Sequence, residues 1–231
     1  MQKIFLLFLI PAFVLFPQKK DPELIIRKLL EKFNSVQDYQ VDVRIKVDVQ
    51  FITAPEARAK IYFKQPDKIH IESETFALIP KDGLNFSPSG LLQSKYTSIY
   101  EKEDSIDGNK VSVVKIIPLG QGNVILTTLF IDDDENIIRK LETTTKTEGT
   151  FSIDLKYKPG SKYPLPSEMI FSFDLERLNL PPGISGELSS ESEEQLKKER
   201  NKPVKGKVYI AYSNYKVNQG IPDKIFTESS K

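Results

Sequence analysis

The sequence predicts a mainly β protein: one amphipathic helix, then a long antiparallel meander that curves strongly. Three observations point there. Apolar and polar residues alternate from Tyr39 to Phe51, the period of two that a strand with one dry and one wet face produces. Shorter alternating runs follow one another at hairpin spacing, separated by Asp, Asn, Gly and Pro. One stretch, from Asp21 to about Val36, carries helical spacing with polar residues on its other side. A chain of 231 residues lies within the range of one all-β barrel or sandwich, so a single core is expected.

The elements follow in order. Lys3 precedes an uncharged run, Ile4 to Phe16, that is too short to cross a hydrocarbon layer of about 30 Å as a helix. With Pro17, Gln18, Lys19 and Lys20 behind it, residues 1–20 read as a secretion signal, although Phe16-Pro17-Gln18 stands where a small-x-small cleavage site belongs. A buried helix or a short membrane anchor is the alternative. Asp21-Pro22-Glu23 then starts a helix: an acceptor at the cap, proline in the first turn, an acid at the positive end of the dipole. Leu24, Ile25, Leu29, Leu30, Phe33 and Val36 form its apolar stripe, and Arg27, Lys28, Glu31 and Lys32 its wet side.

The first strand, 39–51, turns Tyr39, Val41, Val43, Ile45, Val47, Val49 and Phe51 to one face. Such length suits a curved antiparallel sheet better than a parallel one, whose strands would be apolar on both faces. Strands at 57–64 and 68–76 flank a Gln65-Pro66-Asp67 turn. More are read at about 97–101, 110–117, 124–131, 137–146, 150–157, 166–175 and 205–217, with a last short one near 224–227. Two stretches interrupt the pattern: the irregular, partly apolar segment 79–94, and a charged insertion at about 178–204.

Composition removes whole classes of function. Lys+Arg 33 against Asp+Glu 32 gives a formal charge of +1, so there is no basic field for nucleic acid. Without cysteine there are no disulfides, thiolate metal sites, cysteine nucleophiles or lipid-modified cysteine. A single histidine, His70, excludes a histidine-rich metal centre. Asp132, Asp134 and Asn136 imitate the opening of a calcium loop, but Ile137 and Thr143 stand where glycine and the bidentate glutamate belong, so a solvated hairpin tip is the better reading. His70 shares a strand face with Glu72 and Glu74, yet no serine elbow, P-loop, dinucleotide glycine pattern or His-Glu-x-x-His motif accompanies it. Neither a catalytic residue nor a metal nor another cofactor is expected, and the chain reads as no enzyme.

The informative feature is diffuse. Long strands with aliphatic residues on one face need a covering layer, and one helix plus irregular apolar loops is little cover. Either the sheet closes on itself into a filled barrel, or it stays open around a cavity for a lipid or other apolar ligand. About ten buried methylenes already give micromolar binding at roughly 0.8 kcal/mol each. By strand parity the cavity walls would be Val43, Ile45, Val47, Ile61, Phe63, Ile69 and Ile71, with the helix covering the mouth through Leu29 and Phe33.

The order of elements also carries a resemblance. A leader, a helix and a long strand lead into Ala59-Lys60-Ile61-Tyr62-Phe63-Lys64-Gln65-Pro66-Asp67-Lys68-Ile69-His70-Ile71-Glu72; the hairpin Phe130 to Ile138 and the ending Val208-Tyr209 through Tyr212 and Tyr215 to Phe226 follow. Over about residues 22–227 the chain resembles the periplasmic LolA/LolB-type lipoprotein carriers. The resemblance implies an incomplete antiparallel β-barrel covered by helix and loops, in which residues 21–231 form one lipid- or lipoprotein-binding domain. It further implies a periplasmic, monomeric carrier that shields acyl chains on their way to the outer membrane, with an inner-membrane donor complex and an outer-membrane acceptor as partners. A sensing or regulatory binding protein without transport is the second role the family offers. Where the carriers have an arginine before the turn proline, latching barrel to lid, this chain has Gln65, which can still hydrogen-bond but carries no charge.

Overall fold

In the computed structural model, residues 20–49, 55–73, 92, 95–147, 149–175 and 204–227 are described. The leader up to residue 19, nearly all of the insertion at about 178–204, most of the segment 79–94, and the ends of the expected strands at 50–51 and 74–76 lie outside them. The described residues form one helix, α1 (Pro22–Asn34), and ten strands: β1 (Asp38–Val49), β2 (Ala57–Lys64), β3 (Lys68–Ser73), β4 (Tyr96–Ile106), β5 (Asn109–Pro118), β6 (Val124–Asp132), β7 (Ile138–Thr145), β8 (Thr150–Lys156), β9 (Glu168–Leu175) and β10 (Val204–Val217). They build a single antiparallel sheet in the order β3-β2-β1-β10-β9-β8-β7-β6-β5-β4. The edge strands β3 and β4 do not pair, so the sheet remains an unclosed barrel. The fold is therefore mainly β, an open meander with one helix near its start.

Alternation sets the two faces. Val41, Val43 and Ile45 of β1 are buried while Arg44 and Lys46 are exposed, and the same parity runs through Ala57, Ala59, Ile61 and Phe63 of β2. α1 lies on the inner face and buries Ile26, Leu29 and Phe33. Asp21 caps it as its composition predicts, accepting from the Glu23 amide at 3.0 Å. The buried seam differs from the predicted stripe: Ile26 belongs to it, whereas Leu24 is exposed. Residues 26, 29 and 33 keep a three-and-four spacing, and residue 24 falls about 160° away from 26 on the helix wheel. Val36 is buried but lies beyond the helix end.

Two elements depart from the sequence reading. The strand expected at 97–101 extends to Ile106, with a bulge between Tyr100 and Lys102, and turns into β5 through Asp107 (φ 50°) and Gly108 (φ 79°). The short strand expected near 224–227 is instead one 3-10 turn, Asp223–Phe226, starting after Pro222. Pro222, with no N–H to add to a ladder, opens the turn, and the segment docks through side chains, with Asp223 Oδ1 2.7 Å from Lys64 Nζ and 3.2 Å from Lys68 Nζ.

Candidate functional site

The inner face has two unlike ends. At one, here the lower end, odd-numbered strands begin and even-numbered strands finish; at the upper end the reverse holds. Rings fill the lower end. Phe33 of α1 meets Phe63 edge-on at 6.2 Å, Phe63 stacks on Tyr39 at 5.1 Å, Tyr39 meets Tyr215 at 5.7 Å, and Tyr215 stacks on Tyr212 at 6.1 Å. Burial pushes the hydroxyl pKa values of Tyr39, Tyr212 and Tyr215 far up, so this plug stays uncharged. Tyr215 donates to the Pro166 carbonyl at 2.9 Å and Tyr212 to the Met169 sulfur at 3.7 Å, which satisfies their polar ends.

The helix end is clasped here. The Gln65 amide donates to the Val36 carbonyl at 3.2 Å, and its backbone N–H to the Gln37 carbonyl at 2.8 Å. Asn218 donates to the Ser35 carbonyl at 2.9 Å, and buried Asp38 accepts from the amides of Gln219 and Gly220 at 2.9 and 3.0 Å. Gln65 thus joins the β2–β3 turn to the end of α1 by neutral hydrogen bonds. The other end of α1 is held ionically. Lys20 Nζ lies 2.7 Å from Asp133, 2.8 Å from Glu103 and 3.1 Å from the buried Ser112 hydroxyl. Partial burial works against the Lys20 charge, but Asp133 and Glu103 outweigh it and raise its pKa. Glu23 accepts from the Ser98 hydroxyl beside it.

Toward the upper end the cover thins. Register places Val47 opposite Val208, Val208 opposite Phe171, Gly206 opposite Phe173, and Phe173 opposite Phe151, all on the inner face. Phe171 sits 5.5 Å from Phe151 and 5.7 Å from Phe173, centroid to centroid. Val47, Phe151, Phe171 and Phe173 are each only half-buried, although they pack against the main core. Gly206 makes the arrangement possible, because a Cβ there would stand 2.6 Å from both the Phe173 ring and the Val49 side chain. Among the described residues the result is an apolar surface that spans β1, β10, β9 and β8, half-buried and backed by a packed core.

The seven wall residues expected from parity all turn to the inner face but divide in their surroundings. Val43, Ile45, Ile61 and Phe63 are fully buried under protein atoms, beside Leu29 and Phe33 of α1. Val47, Ile69 and Ile71 are half-buried, Val47 next to the phenylalanines and the two isoleucines along edge strand β3. Sequence reasoning missed Phe151, Phe171 and Phe173. Their strands were legible and the alternation Phe171-Ser172-Phe173 was a usable signal, but only the register of β8, β9 and β10 brings the rings together.

The other candidates are engaged elsewhere. The Asp132 carboxylate accepts from Arg139 at 2.8 and 2.9 Å and from the amides of Asp134 and Glu135 at 3.0 and 2.9 Å, so it is a buried ion-paired knot at the hairpin tip. His70 faces outward, its Nε2 3.9 Å from Glu72, which also accepts from Tyr62 at 3.0 Å. A cleft of about 510 Å³ beside Asp132, Arg139 and Tyr157, and one of about 680 Å³ around Asp42, Arg44, Arg58 and Glu72, are lined by charges of both signs.

No protein-family model matches the chain, and no curated protein does. Solved structures match its architecture. A LolA superfamily protein from Nitrosomonas europaea superposes with a TM-score of 0.59 at 14% identity, covering 90% of this chain and 97% of that one. A DUF1329 family protein from Desulfovibrio piger gives 0.59 at 9% identity, covering 90% and 98%. A domain named for outer-membrane lipoprotein sorting, from Vibrio parahaemolyticus, gives 0.53 at 11% identity, covering 89% and 97%. At these identities the agreement is one of architecture, and the open ten-stranded sheet strapped by an N-terminal helix is the LolA-like fold.

Proposed function

We propose that the chain is a periplasmic carrier that takes the acyl chains of a lipoprotein or lipid at the upper end of its inner face and shields them on the way to the outer membrane. The observation that carries this is the half-buried group Val47, Phe151, Phe171 and Phe173, large apolar side chains that turn inward yet lack full cover. A hydrocarbon tail laid on them removes their remaining apolar area from water, at about 25 cal/mol per Å². The LolA-like fold supports the reading, since one structural neighbour is named for lipoprotein sorting. The aromatic plug gives the surface a floor, so a tail enters from above. Guest contact then belongs to Val47 and the phenylalanines, while Val43, Ile45, Ile61 and Phe63 support them from beneath; Ile69 and Ile71, opposite Phe63 and Ile61, lie lower on the β3 edge, where only the far end of a long tail would reach them. The step is non-covalent and needs no catalytic group or cofactor. A donor complex in the inner membrane and an acceptor at the outer membrane complete the route, with the uncharged Ile4–Phe16 run as the export signal.

The test is uptake of a fluorescent fatty-acid probe by protein purified from the periplasm, with native mass spectrometry for co-purified lipid. Val47→Glu, on the inner face, is expected to lower probe affinity at least tenfold, and Lys46→Glu, on the outer face, to leave it unchanged. Equal effects from the two, or no probe binding by the wild-type chain, would reject the reading.

A further inference from the structure

Among the described residues five large apolar side chains are exposed; apart from Leu24 on α1 they fall near the upper ends of the neighbouring strands β4, β5 and β6. Ile99 of β4, Ile117 of β5, Leu119 of the β5–β6 connection and Ile125 of β6 are all exposed, Leu119 at 63%. Ile117 lies opposite Thr97, and Ile99 opposite Lys115, so both isoleucines share the outer face of the β4–β5 pair. Ile125 falls in the register shift between Val124 and Leu126, which removes it from regular pairing with β7. The connection Leu119-Gly120-Gln121-Gly122-Asn123 carries no charge. It is held by the strands around it: the Leu119 amide donates to the Lys95 carbonyl, and the Lys146 amide to the Asn123 carbonyl, each at 2.8 Å.

Those two bonds put a lysine on either side of the apolar tip. Lys95 and Lys146 are exposed. An apolar tip between cations is the pattern of a surface that enters the headgroup layer of an anionic bilayer, where each lysine near the surface adds attraction and each apolar side chain adds burial. Position adds a second argument, since β4, β5 and β6 end or begin here at the upper end, on the side where the phenylalanines are half-buried. We propose that Ile99, Ile117, Leu119 and Ile125, flanked by Lys95 and Lys146, seat the upper end of the sheet on an anionic lipid bilayer. This docking is separate from tail binding and does not depend on the identity of a cargo.

The test uses the absence of cysteine in the chain. Gly122→Cys labels the tip without touching Leu119, since a Cβ at Gly122 meets nothing within 4 Å. Lys158→Cys places the same environment-sensitive dye at the lower end. Full-length labelled proteins are mixed with phosphatidylglycerol-containing vesicles, some carrying a nitroxide quencher in the acyl region. The expected result is a blue shift with quenching at 122 and neither at 158, with the response lost in Leu119→Ser/Ile125→Ser. Lys95→Glu/Lys146→Glu should weaken it by roughly tenfold or more. No response at 122, or equal responses at 122 and 158, overturns the proposal. A dimer in sedimentation that disappears in Leu119→Ser also overturns it, assigning the patch to a second copy of the chain. Uptake of the fatty-acid probe without vesicles is a separate readout, so failure of docking and failure of tail binding are told apart.

Discussion

Gly206 shows how one missing methyl group shapes the apolar surface. The Phe173 ring lies over it against Val49, in space that a Cβ would occupy at 2.6 Å from both. Gly206→Ala therefore pushes the ring outward, at an expected cost of about 1–2 kcal/mol in urea unfolding. Because the clash is shared between the ring and Val49, Phe173→Ala in the same chain should absorb only part of that cost, and a double-mutant cycle measures the coupling. Asp132 is the second residue on which much depends. Replacing it by alanine strands the Arg139 guanidinium, whose side chain is 17% exposed, and two backbone amides, so a loss of about 3 kcal/mol is expected by the same measurement. Asp132→Asn retains acceptors for the amides and should cost less. Neither effect was legible in sequence. The run Asp132 to Asn136 reads as wet turn chemistry, and nothing in it announces that the first carboxylate folds back onto an arginine seven residues later.

At the scale of elements, most strands were legible because one face is dry. The long alternation of β1 and the β2–β3 hairpin are found close to where parity puts them. The second half of β4 was not, because Lys102, Glu103, Asp104 and Ser105 are polar on both faces, as suits an edge strand that must discourage pairing with another chain. Residues 223–226 failed for the opposite reason, an apolar pair, Ile225 and Phe226, that imitates a strand while Pro222 and a side-chain clasp hold a 3-10 turn. That clasp has a pH dependence. Hydrogen bonds from Lys64 and then Lys68 hold the Asp223 pKa below its ordinary value of 3.8. The contribution to stability is complete above that value and is lost as the pH falls through the lower, folded one. In acid the turn should loosen from β2 and β3 while remaining in place at neutral pH, which amide exchange at Ile225 and Thr227 followed against pH will read.

For the whole molecule, local patterns said mainly β and left open whether the sheet closes. What decides it is non-local. β3 and β4 are consecutive in the chain yet lie at opposite edges of the sheet, and no periodicity records that. The division of the inner face into a plugged lower end and a half-covered upper end has the same origin, since it arises when Tyr39 meets Tyr215 and Phe151 meets Phe173 across long sequence separations. Parity therefore named side chains of the right face, but it could not rank them by cover.

One pairing reaches further than architecture. β1 and β10 run side by side in the interior of the sheet, with Ile45 opposite Ile210 and Val47 opposite Val208. Until β10 has been made, the described strands β1–β3 and the β4–β9 meander share no backbone ladder, and among the described residues α1 is the element that bridges them. Such a topology delays cooperative folding until β10 has been made. If the chain is exported as proposed, that delay gives it time: the two parts of the sheet stay apart, and the chain threadable, until β10 arrives.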